Sequence, residues 1–187
     1  FEALLNWKGI EAADELFNIC KENTSSNYFN PALNAYIKLV SNPAITGENR
    51  LLKLRKAMEI AKTDQQKIEI LKQIEKTGTF LGMLYAGEFL NQKSVQQAAA
   101  NAVMNIALGN KDYTGTNVRD LLNKVIQVLD NPDAGYQKEA IRKHLAEMPA
   151  GEGFVSIFNG KDLTGWKGLV ENPIVRAKMK PVQLAKA

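Results

Sequence analysis

From its start to about residue 149 the chain follows one rhythm. An amphipathic helical stretch ends, a few short polar residues turn, and a second helical stretch opens. Three copies of the transition are Ala61-Lys62-Thr63-Asp64-Gln65-Gln66-Lys67-Ile68, Phe89-Leu90-Asn91-Gln92-Lys93-Ser94-Val95-Gln96 and Val128-Leu129-Asp130-Asn131-Pro132-Asp133-Ala134. Successive units recur at roughly 30 to 40 residues, the range of helix-pair repeats. A single pair of amphipathic helices cannot bury its apolar faces alone, so such units stack on their neighbours. The expected fold is therefore all-α, a solenoid of about four helix pairs.

The punctuation supports eight helices. The first is expected over 8–22 with Asn6 as N-cap, and the second from Asn30 to Ser41, with Pro31 at the first helical position, where its missing N–H costs nothing. Asn42-Pro43 stops it. The third begins after Thr46, and the fourth uses Thr63 as N-cap and closes at Gly78, a residue suited to the left-handed position after a helix. The remaining four are expected over 79–90, 94–108, 116–129 and 134–148. Arg55 with Glu59, Asp120 with Lys124 and Glu139 with Lys143 are spaced four apart and are expected to pair along a helix face.

Charge narrows the function classes. The net charge is +4, but residues 1–150 hold 18 Lys and Arg against 17 Asp and Glu, while residues 151–187 hold 6 against 3. The helical body is close to neutral, whereas a groove that tracks a phosphate backbone needs a clustered basic excess. The densest basic stretch, Arg50 to Lys76, is interleaved with Glu59, Asp64, Glu69 and Glu75 and reads as a solvated face. No nucleic-acid partner is expected. No apolar run approaches the ~20 residues of a bilayer span.

The pattern of an apolar pair, a polar turn and an alanine-rich second helix resembles HEAT repeats over about residues 1–148. Tetratricopeptide-type packing is the alternative, without its aromatic and proline signature. In the helix expected over 94–108, Ala98, Ala99, Ala102, Val103, Ile106 and Ala107 form the apolar stripe. Gly82 and Gly87 in the preceding helix cost about 1 kcal/mol each relative to alanine and are expected to mark close helix approach. The opposite face carries Gln96, Gln97, Asn101 and Asn105. Second helices line the inner side of HEAT arrays, so this is the candidate partner-binding face, with a merely solvated face as the other reading.

The residues do not assemble into a familiar catalytic or metal centre. His144 is the one histidine, and a zinc site wants several ligands at set spacings. Cys20 lies in phase with Ala13, Leu16 and Phe17 and reads as a buried structural thiol without a basic neighbour to activate it. Asp130 and Asp133 straddle a turn, where local side-chain hydrogen bonding accounts for them. Catalytic residues, metal and cofactor are all expected to be none.

The grammar changes at the end. Phe154 to Phe158 alternates as a strand does, and Asn159-Gly160 is a strong hairpin signal. The run Phe158-Asn159-Gly160-Lys161-Asp162-Leu163-Thr164-Gly165-Trp166 resembles the opening motif of the 3-keto-disaccharide hydrolase family. Its key positions are Phe158, Asn159, Gly160, Asp162, Leu163, Gly165 and Trp166. That resemblance implies the first strand and turn of a concanavalin-like jelly roll in a protein linked to cleavage of oxidised sugars and glycosides. Here these residues read as structural rather than catalytic. By the same analogy the setting is periplasmic or the cell envelope.

A jelly roll needs about eight strands, and residues 150–187 supply one or two. The expectation is therefore a helical-repeat domain over 1–149, then a linker and the start of a sandwich domain over 150–187, cut from a longer parent. The role expected is a non-catalytic scaffold that docks a protein, a carbohydrate polymer or the parent's own sheet domain. The alternative is a stand-alone interaction module whose C-terminal run is a β-augmenting arm.

Overall fold

Threonine hydroxyls set the frame of the central helices. Thr46, Thr63 and Thr79 each accept a hydrogen bond from the backbone N–H three residues on, at 3.4, 3.3 and 3.0 Å, and so open three consecutive helices. Each cap satisfies a donor that the helix cannot, a contribution of about 1 kcal/mol. At Thr63 the cap is reciprocal, because Gln66 Oε1 accepts from the Thr63 N–H. The computed structural model describes residues 1–22, 25–151 and 153, with Val175, Lys178, Met179, Lys180 and Val182 beyond them. The chain divides into two units, Phe1–Phe154 and Val155–Ala187, and the helices named below lie in the first.

Among the described residues there are nine α-helices: α1 Glu2–Leu5, α2 Ala13–Glu22, α3 Ser26–Val40, α4 Gly47–Ile60, α5 Asp64–Glu75, α6 Phe80–Gly87, α7 Gln96–Gly109, α8 Thr116–Val128 and α9 Ala134–Glu147. The all-α class is as expected. Substantial contacts run between helices one or two apart in the chain. α2, α4, α6 and α8 lie side by side in one row. α5, α7 and α9 lie side by side in the other, which α3 joins through a Gln66–Asn30 hydrogen bond of 3.0 Å.

Three boundaries differ from the expectation. Residues 8–22 are not one helix. Gly9 is extended, Ile10–Ala12 form a 3₁₀ turn, and Asn6 closes α1 instead of opening α2. The indole N–H of Trp7 donates to Glu11 Oε1 across this break at 2.9 Å. α3 begins at Ser26, so Pro31 lies inside it. The proline cannot donate to the Asn27 carbonyl, but Asn27 is exposed and water can serve it. α6 stops at Gly87 and continues as turns to Asn91.

The core runs the length of the stack. α7 is its centre: Ala99, Ala100, Ala102, Val103, Met104, Ile106 and Ala107 are all buried. The expected stripe omitted Ala100 and Met104 and included Ala98, which is only half-buried. α7 packs against α5, α6, α8 and α9, so it buries more than one stripe.

Beneath it the α5–α6 turn is a buried hydroxyl relay. Thr77 Oγ1 donates to the Ile74 carbonyl at 2.6 Å and lies 3.2 Å from Thr79 Oγ1. Gly78 between them has φ +64°, the left-handed value anticipated for it. Its carbonyl accepts from the Tyr113 hydroxyl at 3.0 Å.

The two α6 glycines have different neighbours. A Cβ on Gly87 would meet Leu121 Cδ2 of α8 at 2.5 Å, a close approach to the next pair. A Cβ on Gly82 would instead meet Thr77 Oγ1 and Thr79 Oγ1 at 2.8 Å. Gly82 makes room for its own N-cap rather than for another helix.

Some local pairings also differ. Among the described residues, Glu139 pairs with Arg142 rather than Lys143, and Lys143 approaches Glu147. Neither Arg55–Glu59 nor Asp120–Lys124 closes to an ion pair. Arg55 lies over the Tyr85 ring of α6, 4.8 Å from its centroid. An exposed ion pair gains little, so a half-buried aromatic face competes well. At the α8–α9 turn, Asn131 rather than Asp130 makes the Asx bond, accepting from the Asp133 N–H at 2.9 Å. Cys20 is buried with its thiol directed at the Phe29 carbonyl, and burial pushes its pKa up to about 11. The Phe158–Trp166 run, with Phe158, Asn159, Gly160, Asp162, Leu163, Gly165 and Trp166, lies outside the described residues.

Candidate partner-binding grooves

The row containing α3, α5 and α7 is grooved between its helices. The larger groove, 420 Å³, lies between α5 and α7. α5 supplies Ile68, Lys72 and Glu75, the α6–α7 turn Lys93 and Ser94, and α7 Gln97, Ala98, Asn101 and Asn105. The α7 residues 97, 101 and 105 are spaced by four and share one side of the helix. A second groove of 340 Å³ lies between α3 and α5, lined by Asn34, Ile37, Lys38 and Ser41 on one wall and Glu69 and Gln73 on the other.

The four face residues anticipated from sequence have separate fates. Gln96 turns away: its Nε2 donates to the Leu90 carbonyl at 2.6 Å and closes the turn before its own helix. Gln97 lines the groove but is engaged, donating to the Val128 carbonyl at 2.7 Å and accepting from the Asp130 N–H at 3.0 Å. It thereby ties α7 to the end of α8. Asn105 Nδ2 donates to Glu75 Oε1 at 2.9 Å across the groove. Of the four, Asn101 is the one with a buried unpaired atom: its Oδ1 has no hydrogen-bond partner among the described residues. A buried acceptor left unpaired costs about 1–3 kcal/mol, so this atom would gain most from a bound N–H or O–H.

The same applies to Ser41 Oγ in the α3–α5 groove, also buried and unpartnered among the described residues. The two lining carboxylates are occupied. Glu69 Oε1 accepts from Gln73 Nε2 at 2.7 Å, and Glu75 accepts from Asn105. Lys38, Lys72 and Lys93 pair with no carboxylate among the described residues. The α5 wall and the whole α3–α5 groove were not anticipated from sequence. The readable signal was the polar series Asn30, Asn34, Lys38 at every fourth residue of α3.

A third cavity, 290 Å³, lies at the far end and is lined by Lys111, Thr114, His144, Glu147, Met148 and Pro149. His144 is half-buried and its Nε2 has no partner among the described residues. Burial lowers its pKa, nearby Glu147 opposes that, and Lys111 adds to it. Arg119 of α8 closes this end, its guanidinium donating to the carbonyls of Leu145, Met148 and Pro149 at 3.4, 3.1 and 2.7 Å.

Among the described residues no group of three His, Cys, Asp or Glu could hold a metal ion, and no helix is long and apolar enough to cross a membrane. No protein-family model, curated protein or solved structure matches the chain.

Proposed function

We propose that residues 1–149 are a HEAT-like α-solenoid that serves as a non-catalytic interaction scaffold. In this reading the parent is a glycoside-directed, hydrolase-like protein of the cell envelope or periplasm. Its sheet domain begins with the Phe158–Trp166 run. The observation that carries the scaffold reading is the packing pattern. Helices contact neighbours one or two places along the chain, and one row is left grooved and polar. Nearest-neighbour packing of this kind builds long surfaces suited to docking. The hydrolase link is supported by the terminal run alone.

The test is the intact mass of the native gene product, with far-UV circular dichroism of the part that follows residue 154. A product extending well past residue 187, with a β-rich spectrum for that part, is the expected result. A native product ending at residue 187 removes the hydrolase link and leaves a stand-alone interaction module.

A further inference from the structure

We infer that the α3–α5 and α5–α7 grooves together hold an extended acidic peptide segment of a partner protein, laid across α3, α5 and α7. This rests on the scaffold reading above and names its partner's chemistry. Two demands are visible in the grooves. Asn101 Oδ1 and Ser41 Oγ, on residues that line the grooves, are buried with no partner among the described residues; the Asn101 oxygen can only be satisfied by an N–H or O–H donor. Lys38, Lys72 and Lys93 line the same grooves with no carboxylate at ion-pair distance among the described residues; Glu69 and Glu75 accept neutral amide hydrogens and keep their charge, so the three lysines leave the lining with a small positive excess. A main chain supplies N–H groups and acidic side chains supply anions, so one acidic peptide meets both demands.

Reach is consistent. Packed helices lie about 8–10 Å apart, so crossing from α3 to α7 takes roughly 20 Å. At about 3.3 Å per residue that is about six extended residues. Among the described residues neither groove is lined by an aromatic ring. A single-stranded nucleic acid would want such a stacking platform, and sugar faces also commonly rest on one.

The test uses the full chain and fluorescence anisotropy with a labelled (Glu-Gly)₆ peptide. Three comparison probes accompany it. They are (Lys-Gly)₆, a (Glu-sarcosine)₆ peptide that lacks N–H on alternate residues, and polygalacturonate as an anionic polysaccharide. Binding of (Glu-Gly)₆ is expected at about 50 mM salt and should weaken as salt screens it. The Lys72→Glu/Lys93→Glu double variant should lose about tenfold in affinity. Asn101→Leu should lose about threefold in affinity without lowering the thermal midpoint, since it removes an unpaired buried acceptor, and should lose little further with the sarcosine peptide.

The inference is overturned if (Glu-Gly)₆ does not bind, if (Lys-Gly)₆ binds equally, or if polygalacturonate binds more tightly. Peptide binding that ignores all three substitutions places the site elsewhere. That result overturns the groove assignment while leaving the scaffold reading, which rests on the packing pattern, in place.

Discussion

α7 and α9 are both 14 residues long and occupy the same row, yet α7 buries seven residues and α9 buries only Ile141. α7 has helices on both sides and beneath it, whereas among the described helices α9 touches only α7 and α8 appreciably. Its charged residues Lys138, Glu139, Arg142, Lys143 and Glu147 follow from that position. The contrast teaches that burial in a stacked fold is set by neighbours on either side more than by a helix's own length. Stability should follow the same gradient, with α9 opening before α7 in hydrogen exchange.

The largest way to sharpen this contrast is to place a charge in each helix. Val103→Asp buries an unpaired carboxylate in α7 and should cost about 4 kcal/mol or more in denaturant unfolding. Ala140→Asp on the exposed side of α9 should stay within about 0.5 kcal/mol. Equal losses from the two would remove the gradient.

A smaller effect is expected at Ile141, the one fully buried residue of α9. Ile141→Ala should cost about 2 kcal/mol and strip exchange protection from residues 134–147 while sparing 96–109. Smaller again is Arg119→Ala, at about 1–2 kcal/mol, because it releases three carbonyls at the end of α9. Arg119→Lys should not restore protection, since one ammonium cannot reproduce the guanidinium fork.

The mildest is a pH dependence at the α9 end. The folded pKa of His144 is lowered, chiefly by burial, so below the unfolded value of about 6.5 the unfolded chain binds more protons. The contribution of His144 is complete above that value and is lost as pH falls through it toward the folded pKa. His144→Gln should flatten the stability profile in that window. An unchanged slope would show that another group carries it.

Much of the helical frame was legible because its signals are local. The Thr63 cap, the helix starts at Thr46 and Thr79 and the left-handed Gly78 are read from residues within one turn. The break at Gly9 and the early start of α3 were not legible, because Asn6 and Pro31 suit more than one place in a helix. The candidate site was half legible. Period four placed Asn101 and Asn105 together, but Gln96 and Gln97 serve as ties to Leu90 and Val128, whose carbonyls lie on other elements. The α5 wall of Lys72 and Glu75 depends on which helix lies opposite, and intrahelical spacing carries no such information.

By itself, then, the sequence determined the all-α class, the helix starts at Thr46, Thr63 and Thr79, and the shared side of Asn101 and Asn105 on α7. These follow from backbone hydrogen-bonding needs and side-chain periodicity within a few residues. The tertiary structure alone decided that α7 would be central and α9 peripheral. It also decided that Gly87 would lie against Leu121 of α8, and that of the four polar face residues Asn101 would be the one whose buried oxygen has no partner among the described residues. Those outcomes depend on contacts between residues some thirty positions apart, where the partner is chosen by packing.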